Sequence, residues 1–304
     1  MYAFHINFIK SFSDLFQTDD KNKEVASHYN DFENGKWRYK YFKKFIMDNI
    51  CFTALSKKER DKLPQESYSM IEEACSNIRL SRSSSDPGKG SEIAEILLYG
   101  IMQQYYGALP VIPKIFYKQN PNDYAKGSDG VHIVINDGNF SLWFGEAKFY
   151  KNLSDVNLRT IAKSVYNSLN TNKIRKENAI ATDLNDLKEL LIPYGKNLQE
   201  EIFEIFDKKT SVDKIKTHLH IPIMLLYECD ITKTQTELTD EYLRLIESQQ
   251  IDVAKKYFQY QNEECRDVFK YKEVSFHLIY FPVPNKEFIV NNFMSEVEHF
   301  RGEE

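Results

Sequence analysis

Polar and hydrophobic residues alternate in two adjacent runs near the middle of the chain, residues 129–135 and 140–149. Because the side chains of a β-strand point alternately to its two faces, this period of two predicts strands buried on one side. Asn136-Asp137-Gly138 separates the runs, and Asp-Gly between alternating runs is typical of a tight turn. The pattern therefore predicts a β-hairpin.

Elsewhere, apolar residues that recur every three or four positions predict helices, and continuous apolar runs predict buried strands. Residues 81–91, SRSSSDPGKGS, have the composition of a loop, which we interpret as a hinge or a mobile loop beside a site. The predicted fold class is α/β, with a mixed central sheet flanked by helices. Helices are expected at residues 40–52, 68–78, 91–107, 155–169, 184–206 (with a break at 193–195), 241–261 and 289–300, and further strands at residues 111–117, 221–227 and 274–281.

The hairpin carries three charged residues that are expected to meet at one edge of the sheet. Glu146 and Lys148 are two positions apart in one strand and point to the same face, while Ala147 points into the core. Asp129 begins the partner strand. Carboxylate oxygens are the ligands that Mg²⁺ prefers, and a metal-bound water is a better nucleophile than a free one. A neighbouring lysine can orient that water or neutralise charge on a phosphate.

The alternative interpretation is that Glu146 and Lys148 form an exposed charge pair, since Glu-x-Lys on its own is a weak signal. The surrounding residues favour a functional site, because Phe144, Ala147 and Phe149 are apolar. Glycines near the acids also allow backbones to approach closely. These glycines are Gly127, Gly130 and Gly145.

Asp129, sixteen further residues and then Glu146-Ala147-Lys148 resemble the signature of the PD-(D/E)XK nuclease superfamily. Ser128 stands where that signature usually has a proline. The resemblance implies a restriction-endonuclease-like core in which Asp129, Glu146 and the carbonyl group of Ala147 hold Mg²⁺ or Mn²⁺. It implies that Lys148 positions the attacking water.

Two helices contribute further candidates under the same resemblance. The helix before the core sheet of this superfamily often gives a glutamate to the metal site. Glu95 fits best, because it precedes Leu-Leu within the helix at residues 91–107, and Glu92 is the alternative. Either residue could instead be an acid favoured by the dipole near the helix N-terminus. On the helix after the hairpin, Lys163 and Tyr166 are candidates to contact the phosphate.

Four longer segments are similar to the HamA family, the nuclease subunits of the Hachiman anti-phage defence system. They are SDGVHIVI, LWFGEAKFYKNLSD, HIPIMLLYECD and SFHLIYFPVPNK, within residues 80–300. The resemblance implies a nuclease that acts on DNA and a superfamily 2 helicase partner, HamB, which uses ATP. The helicase would restrain the nuclease until phage infection or DNA damage produces abnormal DNA, or it would deliver the DNA substrate to the nuclease. The implied organisation is a mainly helical N-terminal region at residues 1–80 and a nuclease-like domain at residues 81–304, with a C-terminal α/β extension.

The 304-residue chain has a net charge of −5, whereas an autonomous nucleic-acid-binding domain is usually basic. The negative net charge indicates that any binding to DNA depends on local basic patches or on a partner protein that binds the DNA. Residues 36–44, KWRYKYFKK, and 173–176, KIRK, are such patches. Each of them could equally be a solvated helix face.

Several classes of protein are not expected. The four cysteines form no Cys-x-x-Cys pair, so zinc is not expected, and His218 and His220 are interpreted as surface or strand-start residues. No P-loop motif is present, which indicates that this chain does not hydrolyse ATP itself. Because it has neither a signal peptide nor an apolar run of about 18 residues, the chain is expected to be cytoplasmic, with no membrane partner.

Two other functions stay open. A non-catalytic DNA-binding or regulatory subunit could use a nuclease-like fold, although a degenerate relative would be expected to lose Asp129, Glu146 or Lys148. A stand-alone restriction endonuclease would require sequence-specific base contacts and a cognate methyltransferase. A neighbouring helicase gene would favour the defence nuclease, and a neighbouring methyltransferase gene would favour the restriction enzyme.

Overall fold

The computed structural model describes residues 3–79, 90–112, 115–116, 128–182 and 185–302. The loop predicted at residues 81–91 lies outside the described residues up to position 89. The strand predicted at residues 111–117 overlaps a shorter strand that ends at Ile112.

A mixed sheet of seven strands forms the centre of the described chain, in the order β1-β2-β9-β8-β7-β6-β5. The strands β2, β9, β8 and β7 run parallel to one another, and β1, β6 and β5 are each antiparallel to a neighbour. Strands β3 and β4 form a separate small ladder. The strands are β1 (His5–Ser11), β2 (Lys23–Tyr29), β3 (Phe32–Glu33), β4 (Lys36–Trp37), β5 (Leu109–Ile112), β6 (Gly130–Asn136), β7 (Asn139–Tyr150), β8 (Leu219–Glu228) and β9 (Ser275–Val283).

Helices cover both faces of the sheet, and each face has its own hydrophobic core. Helices α2, α4, α5 and α13 contribute to the core on one face, and α6, α7, α9 and α12 contribute to the core on the other. The helices are α1 (Phe12–Phe16), α2 (Tyr39–Ala54), α3 (Lys57–Arg60), α4 (Ser67–Ser76), α5 (Ser91–Tyr106), α6 (Asp155–Ser168), α7 (Thr171–Thr182), α8 (Asn185–Leu191), α9 (Lys196–Phe206), α10 (Val212–Lys216), α11 (Asp230–Thr234), α12 (Asp240–Glu264) and α13 (Lys286–Phe300).

The predicted hairpin is confirmed as β6 and β7, which pair from Gly130 opposite Gly145 to Asn136 opposite Asn139. The two residues of the turn, Asp137 and Gly138, have φ angles of 50° and 78°. Positive φ at both positions matches the right-handed twist of the flanking strands, which is why Asp-Gly is favoured there. This turn sets the register that places Asp129 beside the middle of β7.

Helix α5 lies against β7 and packs on α2. Every residue from Ile93 to Met102 is buried. The helix ends at Tyr106 and is followed by Gly107, whose φ of 59° is a left-handed conformation that glycine adopts without strain. The buried glutamate in this segment, Glu95, is therefore held in the core next to the hairpin.

Residues 1–80 contain the predicted helices as α2 and α4, but the prediction of a mainly helical region missed β1 and β2. These strands belong to the central sheet, because β2 pairs with β9. Strand β2 is buried along nearly its whole length, and three of its buried residues are polar: Lys23, Ser27 and His28. Its sequence therefore shows neither alternation nor a continuous apolar run, which are the two signals of a strand.

Candidate active site

Asp129 lies immediately before β6 and is fastened to β7 by two hydrogen bonds. Its backbone N–H donates to the carbonyl oxygen of Gly145 over 2.6 Å. Its Oδ2 atom accepts a hydrogen bond from the backbone N–H of Ala147 over 2.9 Å. The hairpin register therefore fixes both the position of Asp129 and the direction of its carboxylate.

Glu146 and Lys148 project from the same side of β7 and form an ion pair. The Nζ atom of Lys148 lies 2.5 Å from Oε1 of Glu146 and 3.6 Å from Oδ2 of Asp129. It also donates a hydrogen bond to the carbonyl oxygen of Ala147 over 3.3 Å. Oxygen atoms from all three residues thus converge on one positive charge.

Ser164 of α6 completes the surroundings of Glu146, because its Oγ atom donates a hydrogen bond to Oε1 of Glu146 over 2.6 Å. Sequence reasoning selected the adjacent Lys163 and Tyr166 on this helix, and the structure leaves both side chains exposed. In the sequence, Ser164 is distinguished only by a hydroxyl group next to the apolar Val165. Selecting Ser164 would have required knowing which strand this helix covers.

Burial and neighbouring charges act in opposite directions on the two central groups. Burial raises the pKa of Glu146, and the negative charge of Asp129 raises it further, while Lys148 and Ser164 oppose this shift. Burial alone would lower the pKa of Lys148, but the two carboxylates outweigh that effect and raise it. Lys148 therefore stays positively charged at neutral pH.

Glu95 approaches the site from the opposite face of the sheet. Gly145 faces α5, since a Cβ atom there would lie 2.6 Å from Cδ2 of Leu98, and the next residue, Glu146, points the other way. Glu95 is 6% exposed and lines a small cavity together with Asp129. The other described residues lining this cavity are Thr53, Leu98, Tyr99, Ile112, Ile115, Gly130 and His132.

Glu92, the alternative helix glutamate, is half-buried in the first turn of α5 and accepts a hydrogen bond from the hydroxyl of Ser91. It does not belong to the described lining of the cavity. Of the two glutamates, Glu95 is the one that the structure brings beside Asp129. The role of Glu95 as a metal ligand stays a prediction.

The oxygen atoms around Lys148 suit a hard divalent cation. Mg²⁺ is held in many proteins by one or two carboxylates and keeps several waters, so Asp129, Glu146 and the Ala147 carbonyl are a sufficient donor set. Within the described residues, no three His, Cys, Asp or Glu side chains are grouped to hold a metal. These donors include a backbone carbonyl group, so they do not match a structural zinc site, in which side chains supply all the ligands.

The other candidate features lie away from this site. Nδ1 of His220 lies 2.8 Å from Nε2 of His277, and Nδ1 of His277 lies 3.1 Å from Oε1 of Glu24. The ring of His218 instead stacks on Phe140. His218 and His220 therefore have different neighbours, and His220 is the second residue of β8.

The order of the elements around the site is a helix, a three-stranded antiparallel unit, a crossover on one face and a parallel strand. With the charged residues on the hairpin, this arrangement defines an α/β protein consistent with a nuclease-like core. Residues 5–297 match the HamA family, and the chain belongs to that family. Membership implies a component of the Hachiman anti-phage defence system. A comparison with curated proteins found no match. None of the helices in the described ranges has the length and apolar character needed to cross a membrane.

Proposed function

We propose that this chain is the nuclease effector of its defence system and hydrolyses phosphodiester bonds of DNA with Mg²⁺ or Mn²⁺. The observation that supports this most directly is the convergence of oxygen atoms from Asp129, Glu146 and Ala147 on one cation, the ammonium group of Lys148. Two carboxylates share this single ammonium group, which leaves an excess of negative charge for a divalent cation.

Asp129, Glu146 and the carbonyl group of Ala147 would hold the metal, and Glu95, which lines the cavity beside Asp129, is the candidate for a further ligand. When bound, the metal would polarise the phosphate and generate the attacking hydroxide. The backbone N–H of Ala147 keeps the carboxylate of Asp129 turned towards β7.

Lys148 would supply a fixed positive charge beside the reacting phosphate. Its raised pKa keeps it protonated, so it can orient the water and stabilise negative charge that develops on the phosphate oxygens. Ser164 holds the carboxylate of Glu146 in place.

The partner in this proposal is a superfamily 2 helicase that hydrolyses ATP and restrains the nuclease or delivers DNA to it. The net charge of −5 supports a role for the helicase in DNA binding, because an acidic chain by itself gains little affinity for DNA from contacts with the phosphate backbone. Abnormal DNA produced by infection would relieve the restraint.

The test is cleavage of plasmid DNA in Mg²⁺ by the purified chain, alone and with the helicase and ATP. Glu146→Gln and Lys148→Met should abolish cleavage. The matched controls are Glu204→Gln and Lys214→Met, which break an exposed ion pair of the same 2.5 Å separation and should cleave normally. Cleavage by folded Glu146→Gln or Lys148→Met would overturn the proposal. No cleavage in any arm, with the fold intact, would support a non-catalytic DNA-binding subunit instead.

A further inference from the structure

His132 lies fully inside the protein on the α5 side of β6, and it is 2% exposed. Among the described residues, neither of its ring nitrogens has a hydrogen-bond partner, and the buried hydroxyl of Tyr99 also has none. His132 and Tyr99 line the same cavity as Glu95 and Asp129. Two buried polar groups without partners among the described residues and two acidic residues therefore line one small space.

The ring of His132 reaches this space because residue 130 is a glycine. A Cβ atom at Gly130 would lie 2.9 Å from Cε1 and 3.4 Å from Nδ1 of His132. Any larger residue at position 130 would displace the ring of His132. The segment Asp129-Gly130-Val131-His132 therefore places Asp129 and His132 in the lining of the same cavity.

Leaving buried polar groups without partners is costly, so a small ligand that satisfies them is favoured. The cavity has a volume of about 10 Å³, close to the roughly 10–15 Å³ that one buried water requires. Such a water also needs about two to four polar partners, and His132, Tyr99, Glu95 and Asp129 are of the right chemistry.

We propose that His132 is a positioning residue for the metal site: with Tyr99 it binds one buried water whose hydrogen bonds orient the carboxylates of Glu95 and Asp129. The inference rests on the proposed function, because orientation matters only if those carboxylates hold a cation. The imidazole touches neither the metal nor the DNA. Its contribution is to hold the ligand side chains in the geometry that binding requires.

The affinity for Mg²⁺, measured by titration calorimetry on the purified full chain, tests the proposal. His132→Phe and Tyr99→Phe should each weaken binding by roughly 10–100-fold, the usual effect of losing a group that orients a metal ligand. His132→Gln keeps polar atoms at this position and should recover part of the loss. The matched control is His28→Phe, which removes another buried histidine whose nitrogens lack partners among the described residues, on strand β2. It should bind Mg²⁺ like the wild type.

The outcomes separate this inference from the proposed function. If Glu146→Gln weakens Mg²⁺ binding while folded Tyr99→Phe and His132→Phe bind like the wild type, the positioning role is wrong and the metal site stands. If the wild type binds no Mg²⁺, both are wrong. A high-resolution crystal structure gives an independent check, since the inference predicts one ordered water in contact with His132 and Tyr99, and a dry cavity would overturn it.

Discussion

Ser164 donates its hydroxyl hydrogen to Oε1 of Glu146 over 2.6 Å, and this bond ties α6 to the middle of β7. The same carboxylate oxygen contacts the ammonium group of Lys148. One oxygen atom is therefore held by a neutral donor from a helix and by a charged donor from its own strand. The position of α6 on the sheet thus sets the direction of the carboxylate.

Ser164→Ala is expected to destabilise the fold by about 1–2 kcal/mol, because a hydrogen bond to a charged acceptor is lost. It should also slow cleavage several-fold, since Glu146 would be oriented by Lys148 alone. Urea unfolding and plasmid cleavage would measure the two effects. Ser164→Thr keeps the hydroxyl and should restore both. Ser168→Ala, which loses only a bond to the carbonyl of Val165 on the same helix, is the control for cleavage. Equal cleavage by the two alanine variants would contradict this role of Ser164.

Lys148→Met should destabilise the protein by about 3 kcal/mol at neutral pH, the lower end for a buried ion pair, because it removes from two neighbouring carboxylates a countercharge whose side chain is 28% exposed. Mg²⁺ should restore stability more in this variant than in the wild type, since it can take over the missing charge. Melting temperatures with and without Mg²⁺ measure the difference. Lys214→Met, which breaks an exposed ion pair, should show the wild-type response to Mg²⁺. An identical Mg²⁺ response of Lys148→Met and the wild type would show that the oxygens do not bind the cation.

Gly100→Ala should destabilise the contact between α5 and α2. The added Cβ atom would lie 2.7 Å from Cε1 of Phe45 and 3.0 Å from Nδ2 of Asn49, both buried. Overpacking costs about 1–3 kcal/mol, which exceeds the gain of about 1 kcal/mol in helix propensity from glycine to alanine. Denaturant unfolding should therefore show a net loss. Gly195→Ala is the control, because its Cβ atom meets no heavy atom within 4 Å, and a stability above the wild type for Gly100→Ala would refute the packing argument.

His28 should make the protein sensitive to acid. Burial lowers the pKa of His28 from 6.5 to about 4, so between these values the unfolded chain binds a proton that the folded chain does not. Stability is then fully present above pH 6.5 and falls as the pH drops towards 4, by about 1.4 kcal/mol per pH unit. His28→Phe should remove this part of the slope.

Urea unfolding at several values between pH 7 and pH 4.5 gives the slopes for the wild type and His28→Phe. The exposed His5 supplies the control, because His5→Phe should leave the slope at its wild-type value. If wild type and His28→Phe lose stability in parallel, His28 is not buried in its neutral form.

The parts of the site that local sequence could predict are those that the hairpin creates. Asp137-Gly138 determines the turn, the turn determines the register, and the register brings Asp129 to Ala147. Each step connects residues that are close in the sequence. The fold class and the later strands were also predictable, because their apolar runs are continuous.

The missed parts depend on contacts between distant segments. Ser164 contributes because α6 packs over β7, and no local pattern carries that information. Lys23 begins β2 although it is charged, because Asp20, Asn262 and aromatic rings surround its ammonium group. A buried lysine interrupts the apolar pattern by which a buried strand is recognised in a sequence, and its partner Asn262 is distant in the sequence. His132 was also overlooked, because one histidine in a largely apolar strand gives no local signal of the cavity that it lines.

The parallel pairing of β2 with β9 has a consequence for how the protein is made. Lys23 lies opposite Phe276, so β2 is translated long before the strand with which it pairs in parallel. Contacts between residues so far apart in the sequence form slowly, and the nascent chain carries β2 without β9 until that strand has been made. A nascent chain that is cut short before β9 therefore leaves one edge of β2 without its hydrogen-bonding partner.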